Sequence, residues 1–164
     1  PDGSFSMYTA AASVHYNEGG DWKEIDLTVH PNTSGVHSSN PYYNGDNSFK
    51  TYYPQNPMSG KIFTKLNEGE MSETLQSMYA EDQNGNIVYQ YTASASQAAV
   101  YNSSVAYNNI FPFTNVRYSQ QNDGRKLDVV LQNSQCLNNL PASAKYIVLK
   151  EKIQIPSGYK IVNM

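Results

Sequence analysis

The chain has 164 residues, 14 acidic against 11 basic side chains, and only 15% charged residues. So mild an acidic balance would be repelled by a polyphosphate backbone, which argues against nucleic acid as a partner, and no polybasic cluster draws the chain to an anionic membrane. The length suits one domain that can bury a core without disulfides, and the single cysteine, Cys136, allows no intrachain disulfide.

Fourteen tyrosines stand against one tryptophan. Tyrosine suits half-buried strands, because its ring packs while its hydroxyl reaches a polar partner. At the N-terminus, Tyr8, Ala10, Ala12, Val14 and Tyr16 alternate with Thr9, Ala11, Ser13 and His15, the two-residue period of a strand. Asn17–Asp21 reads as a turn, and Ile25, Leu27 and Val29 then alternate with polar neighbours, giving a hairpin with one wet face. Trp22, just past Gly19-Gly20, is expected to be mostly buried, anchoring the hairpin exit. Residues 31–47 are rich in Asn, Ser, Gly and Pro and read as a long loop folded back on itself. Ser48–Tyr53 and Ile62–Leu66 are short strands, with Pro54 stopping the first.

Met71–Ala80 contains good helix formers, yet the hairpin signal Asn84-Gly85 favours a strand. A two-residue turn there sets Ala80 opposite Tyr89 and Met78 opposite Tyr91, with the apolar residues of both arms on one face. Ala93–Val100 is small and bland, compatible with a surface strand or a helical turn. A second turn signal, Asp123-Gly124, sets Tyr118 opposite Val129 and Val116 opposite Leu131, with these four on a buried face. Arg117 and Asp128 then share the other face as diagonal neighbours. Pro112, between Phe111 and Phe113, is expected to break the ladder and let the chain cross between sheets. Tyr146–Lys150, Ile153–Ile155 and Tyr159–Val162 complete the strands, with Pro156-Ser157-Gly158 as the last turn. No apolar run approaches the roughly 20 residues of a spanning helix. Pro1-Asp2-Gly3 opens no signal peptide, and strand-like sequence runs to Met164, so the expectation is a single module cut from a longer polypeptide.

Few residues suggest chemistry. His15 and His30 fall on the polar sides of neighbouring strands and could join Asp26 around a metal, but no two histidines have ligand-pair spacing, so His15, His30 and His37 read as surface or loop side chains. Asp82–Asn86 resembles a calcium loop superficially, with its glycine misplaced and no bidentate acid following. Cys136, in Asn-Ser-Gln-Cys-Leu-Asn-Asn, has no histidine spaced to activate it. No carboxylate pair stands out, and there is neither a nucleophile elbow nor a phosphate loop. Trp22, Tyr42, Tyr43, Tyr52 and Tyr53 could form a platform for sugar rings, against the alternative that they fill the core and straddle strand faces. Asn32-Thr33-Ser34 and Asn102-Ser103-Ser104 match the glycosylation pattern, as chance allows in so Asn/Ser-rich a chain.

Four blocks in order carry a resemblance. They are Val14–Asp26 with Gly19-Gly20-Asp21-Trp22, Asn47–Pro54 with Asn-Ser-Phe, Val105–Leu131 with Ile-Phe-Pro-Phe-Thr-Asn-Val-Arg-Tyr, and Ile153–Tyr159 with Pro-Ser-Gly-Tyr. Together they resemble the N-terminal all-β region of large secreted bacterial RHS/YD-repeat and wall-associated surface proteins. Asn115 departs from that pattern, which favours Asp at this place. The resemblance implies a scaffold on the bacterial surface that precedes repeats, adhesin modules or a toxin-bearing shell, with no catalytic residue and no cofactor. The expected fold is an all-β antiparallel sandwich of about ten short strands, with at most one helical turn. The expected partners are neighbouring domains of the same polypeptide, or another surface or secretion-machinery protein, met through an exposed sheet edge. The rival is a carbohydrate-binding module of a surface adhesin. A hydrolase on the same sandwich would need two facing carboxyls in a cleft.

Overall fold

The computed structural model describes residues 13–67 and 69–160. Within them the chain is all-β, with thirteen strands, antiparallel pairing throughout, and one 3-10 turn at Ser134–Leu137. A two-stranded ribbon joins β1 (His15–Glu18) to β2 (Asp21–Glu24). The first large sheet runs β13 (Tyr146–Gln154), β7 (Gly69–Glu81), β6 (Ile62–Leu66), β5 (Lys50–Tyr53), β4 (Tyr42–Asn44) and β3 (His30–Pro31), with β8 (Ile87–Gln90) added to β7. The second runs β12 (Gly124–Leu131), β11 (Thr114–Gln121), β10 (Ser104–Phe111) and β9 (Ala98–Tyr101).

The core lies between these two sheets, as the period-two pattern of the sequence requires. Tyr53, Ile62, Leu75 and Met78 of the larger sheet meet Val105, Tyr107, Val116 and Tyr118 of the smaller. The tyrosines pack edge to face or tilted, with Tyr107 and Tyr118 ring centroids 6.2 Å apart. Buried hydroxyls find partners: Tyr107 Oη donates to Pro54 O at 2.8 Å and Tyr91 Oη to Cys136 O at 3.0 Å. A register shift in β7 opposite Lys150 and Glu151 inserts one residue between Leu75 and Met78. Without that bulge, one of these two side chains would point to solvent.

The hairpins show how turns and register cooperate. In β7–β8, Ala80 pairs with Tyr89, and Tyr91 N donates to Met78 O, as the sequence predicts. The turn is longer than two residues, however. Only Gly85 has positive φ, Asp82 N bonds to Asn86 O, and a register shift beyond Ala80 restores the pairing. In β11–β12 the turn sits at Asn122-Asp123, so Val116 faces Val129 and Tyr118 faces Leu127, two residues from the expected register. A two-residue slip preserves the faces. Val116, Tyr118, Val129 and Leu131 do share one, and Arg117 pairs directly with Asp128 on the other, with an N–O distance of 3.2 Å.

Four expectations are corrected. Trp22 is 73% exposed, because β1–β2 is a separate ribbon held by Tyr16 and Glu18 on its other face. Its two-residue turn is Gly19-Gly20, both with positive φ, as type I′ requires. Ile25–Val29 is not a strand; the segment hangs on single backbone bonds to Val14, Asp46 and Asn102. Pro112 sits in the β10–β11 hairpin turn, with Phe113 at φ +53°, and the chain stays in the same sheet. Val129 and Leu131 share the inner face but remain exposed. The undecided Ala93–Val100 segment leads into β9, and the 31–47 loop contains β4. Tyr8–Ala12 and the end of the last expected strand lie outside the described residues, while Tyr159 and Lys160 are not in a strand.

The long loop is held by asparagine side chains where a ladder would otherwise supply bonds. Asn32 Nδ2 donates to the carbonyls of Val36, His37 and Asn40, so the amide of this glycosylation motif is committed inside the fold. Asn40 Nδ2 donates to Tyr52 O and Lys61 O, and Asn44 Nδ2 to Asp26 O and Thr28 O. Replacing Asn40 with Ala leaves two carbonyls without their donor. The expected cost is about 1–3 kcal/mol, read from denaturant unfolding; an unchanged midpoint would show that the loop does not depend on this amide.

Candidate functional site

The two long sides of the sandwich differ. On the β9 side, loops lace the sheets together: Val29 N donates to Asn102 O at 2.7 Å and Ala98 N to Gln55 O at 2.9 Å. On the other side, among the described residues, β12 pairs only with β11 and β13 only with β7. Several of their inward-facing side chains are not covered. Leu127, Val129 and Leu131 of β12 are 37%, 41% and 41% exposed, and Ile153 of β13 is 44% exposed. Ile155 and Tyr159, beyond β13, are each 40% exposed. An apolar strip along two edge strands is the pattern that another strand or domain can complete.

A polar cluster ties the sheets at one end of this open side. Arg125 of β12 reaches across the sandwich to pair with Glu73 of β7, and also donates to Thr64 Oγ1 at 3.1 Å. Its guanidinium carbon lies 5.2 Å from the centre of the Tyr118 ring. Tyr118 Oη donates to Glu151 of β13 at 2.5 Å, and Gln120 Nε2 to Tyr53 Oη at 3.0 Å. Burial pushes the Glu73 carboxyl up, against the opposing pull of Arg125. Burial likewise raises the phenols of Tyr53, Tyr107 and Tyr118, so they serve as neutral hydrogen-bonding groups. Both carboxylates of the cluster are engaged, Glu73 by a guanidinium and Glu151 by a phenol, which suits a tie better than acid–base work. The sequence carries one signal for it. Arg125 and Glu73 each occupy a position whose parity places it with apolar neighbours, Leu127 and Leu75, on the inner face.

The residues singled out for sugar binding are dispersed. Tyr53 is fully buried, and Tyr42 packs against the core from the opposite face to Tyr43. Tyr43 and Tyr52 stack on each other, 5.9 Å apart, along a cleft of about 480 Å³ on the outer face of the larger sheet. Lys50, Lys65, Glu18 and Asp46 also line that cleft. Trp22 projects from the ribbon on the face opposite Glu18, which accepts from Lys23 at 2.7 Å and from Lys50 at 2.5 Å. Those two bonds hold the Glu18 carboxyl at about 2.

The histidines separate too. His15 pairs across the ribbon with Glu24, and His37 stacks on Phe63 with its Nε2 2.6 Å from Glu70. His30 alone approaches Asp26, at 4.0 Å. Asp82 caps its own turn, accepting from Asn84 N, Asn86 N and Asn86 Nδ2, and these bonds, the Asn86 amide foremost, lower its carboxyl. Cys136 is buried, with Sγ 3.0 Å from Asn133 O. Asn115 Oδ1 accepts from Asn109 N and Gln132 Nε2, bonds that the Asp favoured by the resembling pattern could equally accept.

Comparison with family models, with curated proteins and with solved structures finds no match to this chain.

Breaking the buried tie from one side should be costly. Arg125→Met strands the Glu73 carboxylate and is expected to destabilise the chain by about 3–5 kcal/mol. Adding Glu73→Leu should recover much of that loss. A double-mutant cycle by denaturant unfolding checks both; additive costs would mean the pair is not a tie.

Proposed function

We propose that this chain is a non-catalytic structural module of a large exported bacterial cell-surface protein of the RHS or wall-associated type. It supports or packages neighbouring repeats, adhesin or toxin domains, and it joins them through the β12–β13 side of its sandwich. The observation that carries this reading is the strip of inward-facing apolar side chains, Leu127, Val129, Leu131 and Ile153, left exposed along two edge strands. The four ordered sequence blocks supply the class of parent protein, and the mild charge suits a protein contact more than a nucleic acid or an anionic membrane. The engaged state of Glu73 and Glu151 supports a structural role for the interior.

A second reading, a glycan-binding module of an adhesin, draws on one specific observation. Trp22 is a large aromatic side chain held in solvent on a short ribbon, where it contributes little to the core. Such rings stack on the apolar faces of sugars or anchor protein contacts.

Two variants separate the readings. Val129→Lys with Leu131→Lys places charges at the open side, where exposure should keep the fold intact. Association with the adjacent domains of the polypeptide is expected to weaken on the order of tenfold or more; unchanged association would overturn the proposed joint. Trp22→Ala is expected to cost less than about 1 kcal/mol and to leave that association unchanged. Loss of binding to a glycan panel on Trp22→Ala, with the lysine variant still binding, would favour the adhesin reading.

A further inference from the structure

Asp26, His30 and Asp46 come from two separated stretches of chain, and their donor atoms all lie within 4.8 Å of one another. We infer that this group is a binding site for a divalent transition-metal ion of the zinc class, with His30 as nitrogen ligand and the two aspartates as oxygen ligands.

The frame that brings the three together is fixed. Asp26 N donates to Asp46 O at 2.8 Å, which locks the two carboxylate-bearing segments side by side. Thr28 N donates to Asp26 Oδ1 at 2.8 Å, leaving Oδ2 as the oxygen nearer His30. His30 is held in β3 by its pairing with Tyr43 of β4, two strand positions before the Asp46 loop begins. Donors bound at about 2.0–2.2 Å around one tetrahedral ion lie roughly 3.3–3.6 Å apart. The side chains of Asp26 and His30 are half exposed, so rotamer changes can close the remaining distance of about 1 Å.

The local charge points to a cation. Two carboxylates stand beside a single imidazole, and among the described residues Asp46 forms no ion pair with any Lys or Arg. Two lysines line the cleft with it: Lys50 is taken by Glu18, and Lys65 forms no ion pair with Asp46. Asn44 braces the turn beneath the group: its Nδ2 clasps the carbonyls of Asp26 and Thr28, which fixes the segment that carries Asp26. One nitrogen and two carboxylate oxygens with open positions suit zinc, cobalt or manganese; calcium favours an all-oxygen set.

The test is a titration of the full chain with Co²⁺, followed by visible absorption, and with Zn²⁺ as competitor. The expected result is one saturable Co²⁺ site whose bands Zn²⁺ removes. His30→Ala and Asp46→Asn should each weaken it at least tenfold while thermal unfolding in the absence of metal stays within a few degrees of wild type. His15→Ala and His37→Ala should leave it unchanged. Absence of a saturable Co²⁺ spectrum, or a spectrum that survives both His30→Ala and Asp46→Asn, would overturn the inference.

Discussion

The two sheets are tied across their open side by one buried ion pair, Arg125 with Glu73. A sandwich normally closes this distance with apolar side chains from both inner faces. Here the inner positions at one end of the side carry a guanidinium and a carboxylate, backed by Thr64, Tyr118 and Glu151. The pair bridges strands far apart in sequence, so neither hairpin can shift by two residues without pulling a charge from its partner. Buried pairs of this kind are weak sources of net stability but strongly penalise an arrangement that separates them. That asymmetry suits an open-sided module, whose register must hold even where packing is thin.

The rest of the molecule distributes its polar bonds in the same spirit. Residues 31–47 have little regular ladder, yet Asn32 donates to carbonyls within the loop, and Asn40 and Asn44 reach carbonyls on neighbouring segments. The loop folds over the outer face of β5 and β6, where His37 stacks on Phe63 and meets Tyr52 edge-on. Tyr52 is therefore buried although it points away from the core. The same asparagine scaffolding sets the backbone around Asp26 and Asp46. Outside β4, side-chain amides take the place of ladder bonds in holding this loop to its neighbours.

The sequence made much of this legible because side-chain period is robust to small errors. The β11–β12 register differs from expectation by two residues, yet every side chain keeps its face, since two residues is one full period. The β7–β8 pairing at Ala80–Tyr89 is as expected even though the turn is longer, because a bulge absorbs the extra residue. What depends on depth was not legible. Val129 and Leu131 have the right parity but no covering layer among the described residues, and parity says nothing about what lies above a face. Trp22 looked like a core residue by volume, whereas its position depends on the ribbon standing apart from both sheets. Pro112 has the right chemistry for breaking a ladder, which serves a hairpin turn as well as a crossover. The pairing of Arg125 with Glu73, and the meeting of His30 with Asp46 in place of His15, depend on contacts between strands or loops that no local pattern encodes.

The proposed function rests on the asymmetry between the two sides. The β9 side is laced by backbone bonds from Val29 and Ala98, while the β12–β13 side keeps apolar side chains exposed beside edge strands. Amide hydrogen exchange, resolved by residue, tests this most directly. The chain should be measured alone and within the longer polypeptide that the proposal places it in. Edge-strand amides without a ladder partner exchange readily, and a docked strand or domain protects them. The account predicts that the outward-facing amides of β12 and β13 exchange quickly in the isolated chain and become strongly protected in the longer polypeptide, while those of β9 change little. Equal exchange along β12 and β13 in both would contradict it.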